Sequence, residues 1–328
     1  MTRAAIWLLT AGALLFIGVL VSQGFSAVFA TLAVAGWGLL WVALFHLLPL
    51  VVDAAAIHVL FAQGERTSLW EAVLVRWIGE SANSLMPAGQ LGGPALMIRQ
   101  LNQRGVPLQA AVAQITVSTT LQTLAQVLFA LLGLVLIGAR ASQSIRGALL
   151  IASAVLAVPM VSFYFVQRRG LFSKLLHWAA RVSGKHHWLR LMSRAEAIDA
   201  ALLRTYDRWP RVMGSFGWSF LGWVVGTGEV YLILRLLGSP VSWGDALVLE
   251  SLGQAIRGAA FAIPGSLGVQ EGGYLLLAPL ASLAPEVALA LSLGKRAREV
   301  LLAVPGLVYL HLSERLWRRR VACAPAGE

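Results

Sequence analysis

The chain has 328 residues, of which 58% are hydrophobic and 12% charged, and its mean hydropathy is +0.74. A soluble domain carries roughly 25% charged residues. The composition therefore excludes a separate soluble catalytic domain and predicts one all-α polytopic membrane domain over 1–328. The net charge of +11 follows membrane topology, because Lys and Arg favour cytoplasmic loops that face an anionic leaflet. No nucleic acid partner is read from it.

About six transmembrane helices are predicted, each built on a nearly charge-free run close to the ~20 residues that cross ~30 Å of hydrocarbon. The first covers about 4–22. It is long for the apolar core of a signal peptide, so a span is preferred over cleavage at Val28-Phe-Ala30. The second covers about 37–62, with 24–36 as a connecting or partly inserted piece. The third, about 107–137, opens at Pro107, a residue suited to a helix start. The fourth covers about 147–167, the fifth 212–237, and the sixth 286–313 after Pro285.

Segment 168–211 holds ten Lys/Arg against three acids. Phe172, Leu175, Leu176, Ala179 and Val182 recur at helical spacing, as do Leu191, Ile198, Leu202, Tyr206 and Trp209. Two amphipathic helices lying on the inner leaflet are predicted. His186-His187 between them has no nearby acid and reads as a turn. With six spans, this segment, Arg3, Arg66, Arg104 and the tail arginines 315 and 318–320 share one side, which makes both termini cytoplasmic. Trp7, Trp37, Trp70, Trp77, Trp209, Trp243 and Trp317 fall near predicted span ends, as an interfacial aromatic belt does. Cys323 is the only cysteine, which excludes an intrachain disulfide and a thiolate metal cluster.

Two stretches fit no straight span. One is Glu80-Ser-Ala-Asn83-Ser-Leu-Met-Pro87-Ala-Gly89-Gln-Leu-Gly92-Gly93-Pro94. The other is Arg257-Gly-Ala-Ala-Phe-Ala-Ile-Pro264-Gly265-Ser266-Leu-Gly268. Each has a charged residue seven positions before a proline, an apolar residue before that proline, and then Gly-x-Leu-Gly. Such runs break helices, and a membrane tolerates them only where protein or water covers the freed backbone. They are predicted to form two re-entrant hairpins, about 78–99 and 246–277, dipping from opposite faces. The spans around them then form an inverted 3+3 repeat, 1–137 and 147–313, as in secondary transporters whose broken helices meet near the midplane.

Helix N-termini at such tips suit a phosphate headgroup. Glu80, Arg99, Arg257, Glu250 and Glu271 flank the hairpins, and Lys295, Arg296, Arg298 and Glu299 lie in the sixth span. Each ionisable group near the bilayer centre costs ~2.5–3.5 kcal/mol, so the cluster calls for water, partners or an anionic ligand. Four bases (Arg257, Lys295, Arg296, Arg298) against three acids (Glu250, Glu271, Glu299) leave a positive excess, which points to an anionic lipid headgroup. Internal ion pairing is the competing reading. Ser118, Thr119, Thr120 and Gln122 are placed on the opposite wall. His46, Asp53, Glu229 and Arg235 are read as interhelical contacts.

The chain lacks His-Glu-x-x-His, Gly-x-Ser-x-Gly, a Walker A run and a close Asp pair, so no catalytic residue, metal or cofactor is assigned. Glu80-x-x-Asn83-x-x-x-Pro87-x-Gly89-x-x-Gly92, Pro264-Gly265-Ser266-Leu267-Gly268-x-x-Glu271 and the basic cluster of the last helix carry a resemblance. Over about 5–315 the chain resembles the lysylphosphatidylglycerol synthase transmembrane-region family, the flippase-like membrane proteins. Its Trp-rich second span and its length are most similar to the hopanoid-biosynthesis-associated branch. The resemblance implies translocation of a lipid between leaflets of a bacterial cytoplasmic membrane, with those motif residues at the site. The best-known members add a soluble aminoacyl-transferase domain. None follows up to Glu328, so lysyl transfer is not carried over.

Two other readings stand beside the translocator. One is an intramembrane enzyme acting on a polyprenyl or hopanoid lipid, with Glu80 or Glu271 as acid/base. The other is a non-catalytic partner of lipid-synthesis enzymes.

Overall fold

The structure, a computed structural model, describes residues 33–61, 67–86, 92–138, 189–260 and 266–323, with single positions at 30, 263 and between 158 and 169. Among the described residues every element is a helix. The predicted first span, nearly all of the fourth, and the stretch 172–182 lie outside them.

Helix α1 (Gly38–Leu60), α4 (Leu108–Gly138) and α6 (Trp209–Leu236) are long and apolar enough to cross a membrane. They match the predicted second, third and fifth spans to within about three residues. The stretch predicted as the sixth falls within α9 (Pro285–Cys323), whose 39 residues would extend about 58 Å and which is not among the helices apolar enough to cross a membrane. Lys295, Arg296, Arg298 and Glu299 interrupt its apolar character.

Between these lie two helical hairpins. In the first, α2 (Leu69–Leu85) folds back as α3 (Gly92–Gln103). Gly79 faces Met97, and the Gly93 N–H donates to Asn83 Oδ1 at 2.8 Å. In the second, α7 (Trp243–Ala259) folds back as α8 (Val269–Leu277), continued by a 3₁₀ turn over Ala278–Ala281. There Gly253 faces Tyr274, and Gly273 faces Ile256.

The first hairpin departs from its predicted bounds. Its leading arm starts at Leu69, not near 78, and its 17 residues rise about 25 Å. The start is fixed by a capping box. Ser68 Oγ accepts from the Glu71 N–H, and Glu71 Oε2 accepts from the Ser68 N–H at 2.8 Å, which satisfies two otherwise orphaned donors. The second leading arm is also 17 residues long and starts alike, with Ser242 Oγ accepting from the Asp245 N–H at 3.1 Å.

Packing repeats between the halves. Helix α1 lies along α6. The leading arm α2 packs on α9, and α7 packs on α4. Each leading arm also packs on the long helix before it, and each trailing arm on the long helix after it. Glycine makes the hairpin contacts close: a methyl at Gly306 of α9 would fall on Ser81 of α2, and one at Gly133 of α4 on Ser251 of α7. Each hairpin is thus gripped by the other half of the molecule.

Helix α5 (Leu189–Asp207) matches the second predicted amphipathic helix but buries its apolar face against protein. Leu202 and Tyr206 join Leu60, Ala113, Val117 and Leu121 in one core cluster. The cause is α4, whose small and β-branched residues offer that face a groove. The helix stops at Arg208 because Pro210 opens α6.

Candidate functional site

A cavity of about 210 Å³ lies where the turn ends of both hairpins meet the middles of the long helices. Its walls are His46, Pro49 and Asp53 of α1, Arg76, Glu80 and Asn83 of α2, Thr119, Gln122 and Gln126 of α4, Gly226 and Glu229 of α6, Glu250, Gln254 and Arg257 of α7, Ser266, and Lys295, Arg298 and Glu299 of α9. It is smaller than the roughly 300–1,000 Å³ of a site for a whole drug-sized molecule. It has room for a headgroup and water, not for acyl chains.

Glycine lets the helices close around it. A Cβ at Gly222 would meet Asp53 Oδ1 at 2.5 Å, and one at Gly228 would meet the Phe45 ring. The α1–α6 crossing therefore holds Asp53 at the wall.

The ionisable groups form a connected network. His46 sits between two carboxylates, with Nε2 at 2.7 Å from Glu80 Oε1 and Nδ1 at 2.6 Å from Glu229 Oε2. Arg298 reaches the same two: Nη1 donates to Glu80 Oε1 at 3.3 Å, and Nη2 to Glu229 Oε1 at 3.0 Å. Lys295 Nζ donates to Glu250 Oε2 at 2.7 Å and lies 3.6 Å from Glu229 Oε1. On the far wall Arg76 Nη2 donates to Asp53 Oδ2 at 2.6 Å, an oxygen that also accepts from Gln122 Nε2 at 2.8 Å. Arg257 Nη1 donates to Glu299 Oε1 at 2.5 Å.

Of the sequence-predicted site residues, Glu80, Asn83, Arg257, Ser266, Lys295 and Arg298 line the cavity. Ser266 has a positive φ of 50°, a strained conformation for a non-glycine residue. Arg296 and Glu271 sit just behind the wall. Arg296 Nε donates to Glu271 Oε1 at 2.8 Å and Nη2 to the Ser266 carbonyl at 3.2 Å. Glu271 Oε2 accepts from the Gly268 N–H at 2.8 Å and caps α8, with Gly268 at φ 76°.

Gly92 is the first residue of α3 and is not among the lining residues, although Pro94 and Met97 of the same helix are. Arg99 is not at the cavity: it is half-exposed and grips Glu314 of α9 through Nε and Nη2, both at 2.7 Å. Pro87, Gly89, Pro264 and Gly265 lie outside the described residues. On the opposite wall Thr119 and Gln122 are present as expected, whereas Ser118 and Thr120 are not. Thr120 instead accepts from Gln167 Nε2 at 2.8 Å.

The positive excess read from the sequence does not survive. Glu80, Glu229 and Asp53, which that count left out, come to the wall. Among the lining residues five carboxylates (Asp53, Glu80, Glu229, Glu250, Glu299) face four permanent cations (Arg76, Arg257, Lys295, Arg298). Arg76 was missed altogether. Its spacing of four from Glu80, which puts both on one helix face, was the available signal.

These features define a multi-pass helical membrane protein with a polar, ion-paired cavity at the junction of two helical hairpins. The chain belongs to the lysylphosphatidylglycerol synthase TM region family, whose model matches residues 5–306. No curated protein and no solved structure gives a significant match.

Proposed function

We propose that the protein is a flippase-like translocator that moves an anionic, polyprenyl- or hopanoid-type lipid across the bacterial cytoplasmic membrane. The headgroup occupies the cavity while the acyl or isoprenoid chains stay in the bilayer. About six spans and two re-entrant hairpins form two inverted repeats, 1–137 and 147–313, with both termini cytoplasmic. Rocking of one repeat against the other alternates access.

The observation that carries this reading is the placing of the cavity. It lies at both hairpin tips and at the middles of four long helices from the two halves. Broken-helix tips converging on a polar site between repeats are the arrangement that alternating-access transporters use. The reciprocal grip of each hairpin by the other half supports the repeat. So do the matched caps: Ser68 and Ser242 are 174 residues apart, as are Gly79 and Gly253 and the arm ends at 85 and 259.

Arg257 and Arg298 are the phosphate-binding candidates, since guanidinium groups pair with phosphate through two hydrogen bonds. Pro87, Gly89, Pro264 and Gly265 of the same motifs are assigned to the site from the sequence, and Asn83 and Ser266 contribute polar edges. Arg296, Glu271, Gly268 and Gly92 hold them in place. The acid/base reading is weaker. Glu271 is fully buried and already bonded to Arg296, Ser292 and the Gly268 N–H.

Exchange of a fluorescent anionic lipid between leaflets of reconstituted vesicles tests the proposal. Arg257→Gln leaves Glu299 beside Arg296, at 3.7 Å, so the variant is expected to fold. Loss of one charge-assisted hydrogen bond of about 1.5–3 kcal/mol should slow exchange roughly 10- to 100-fold. Unchanged exchange in folded R257Q would refute the assignment.

A further inference from the structure

His46 is the only histidine at the cavity wall among the described residues, and its geometry is unusual. Both ring nitrogens lie within 2.7 Å of carboxylate oxygens. A neutral imidazole has one N–H and one lone pair, so it can satisfy only one of them. Glu80 and Glu229 are acceptors only when ionised, and Arg298 also donates to both. Arg298 Nη1 also lies 3.3 Å from Nε2, but Glu80 Oε1 is the nearer atom at 2.7 Å, so the geometry fits an imidazolium that donates twice.

Charge balance leads to the same state. Charged groups face the cavity around His46 from five helices: Asp53 from its own helix, Arg76 and Glu80 from α2, Glu229 from α6, Glu250 and Arg257 from α7, and Lys295, Arg298 and Glu299 from α9; α4 brings none. Arg76 takes Asp53, Lys295 takes Glu250, and Glu299 is held by Arg257. Glu80 and Glu229 remain, with Arg298 bonded to both and Lys295, already bonded to Glu250, 3.6 Å from Glu229. A protonated His46 makes the network neutral. In a low-dielectric interior an uncompensated carboxylate is costly.

The two carboxylates come from different halves, Glu80 from the first hairpin and Glu229 from α6. The imidazolium is thus a pin across the interface that must part for access to alternate. We propose that His46 is the binding site of a proton carried with the anionic headgroup, and that its imidazolium closes the two halves over the cavity. This rests on the translocator reading above.

When the proton leaves, the N–H bond breaks, its electron pair stays on the ring nitrogen, and water in the cavity accepts the proton. One carboxylate then faces a lone pair and the pin opens. An anionic headgroup in the closed cavity strengthens proton binding, so proton and headgroup are occluded together and released together.

The test uses the full-length protein. ¹⁵N-histidine NMR reads the ring protonation of His46, assigned by the signal lost in His46→Gln. Spin labels at Leu128 of α4 and Leu301 of α9, with Cys323 replaced, read the distance across the cavity. Two ring protons on His46 at neutral pH are expected. The loss of one at higher pH should coincide with a longer α4–α9 distance, and that shift should be absent in H46Q. Glu80→Gln, which keeps His46 and removes the carboxylate charge beside its Nε2, should make His46 lose its proton at lower pH. It keeps the test valid if H46Q does not fold.

A single ring proton at neutral pH, or a distance that ignores the titration, would overturn the proposal. Vesicle lipid exchange separates the two ideas. Exchange that falls about tenfold per pH unit above the titration supports the coupling. Exchange that is pH-independent in this range removes the coupling alone. No exchange of any lipid, with the titration intact, removes the translocator reading.

Discussion

Lys295 offers the sharpest measure of how much the network contributes to stability. Its ammonium is 2% exposed and donates to Glu250 at 2.7 Å, and Glu250 is also buried. Lys295→Met keeps the apolar stem but leaves the Glu250 carboxylate with Gln254 Nε2 as its remaining donor, at 2.8 Å. Removing one partner of a buried pair costs about 3–5 kcal/mol, because the other charge stays buried without compensation. At about 2 °C per kcal/mol for a chain of this size, the Tm of K295M in detergent should fall by about 6–10 °C. The half-buried Trp77 and Trp223 give a fluorescence signal to follow it. Lys295→Met combined with Glu250→Gln removes both charges and keeps the Gln254 contact, so most of the loss should return. A double variant as unstable as K295M, or a K295M shift under about 2 °C, would refute the claim that these two groups compensate each other.

Three further outcomes follow from the geometry. Gly306→Ala should destabilise by about 1–3 kcal/mol through overpacking, because the added methyl falls on Ser81; Ser81→Gly should relieve it, read by the same melting experiment. Ser68→Ala should cost about 0.5–2 kcal/mol through loss of the α2 cap and speed amide exchange at residues 69–71. Glu314, beyond the predicted end of the sixth span, is held below the ordinary carboxyl range by the hydrogen bond from Arg99. A lowered folded-state pKa contributes stability that is present above the unfolded value of about 4.3 and is lost as pH falls through the folded value. The melting temperature should therefore drop less on acidification in Arg99→Ala than in the parent, with a difference at neutral pH of only about 0–1 kcal/mol.

The apolar helices were legible because each is a long run bounded by Gly, Pro or basic residues. The leading arm of the first hairpin was not. Glu71, Arg76 and Glu80 break up its hydropathy, and Trp70 and Trp77 read as interfacial belt. Only Ser68-x-x-Glu71 marked its start, and that signal was in plain sight. The apolar face of α5 was read correctly but assigned to lipid, because nothing in a single helix says whether a bilayer or α4 covers it. His46 and Asp53 were seen on one face. Their role was hidden because the partners of His46 lie 34 and 183 residues away. The proline match between the hairpins sets Glu80 opposite Arg257, a spacing of 177. The arms themselves, by cap, glycine and end, repeat at 174. The matched prolines therefore sit three residues out of step with the helices that carry them.

That offset bears on how the site is built. In the register of the arms, Arg76 corresponds to Glu250 and Asn83 to Arg257. Corresponding positions of the two arms thus carry opposite or unlike chemistry, and each arm brings to the cavity what the other lacks. Arg76 of the first arm meets Asp53, Glu250 of the second meets Lys295, and Arg257 meets Glu299. Counting charges near each turn, as the sequence invites, separates groups that the fold joins and yields a positive excess that does not exist. A cavity whose cations are all paired cannot receive an anion by simple attraction. Under the proposed translocation, a headgroup would have to take a guanidinium from a carboxylate, and that carboxylate would need a proton or another cation. Glu80, the most exposed carboxylate of the central cluster at 26%, is the one most readily displaced, and His46 stands 2.7 Å from it. Under the proposed mechanism, the balance of the network is therefore what would couple headgroup binding to the proton on His46.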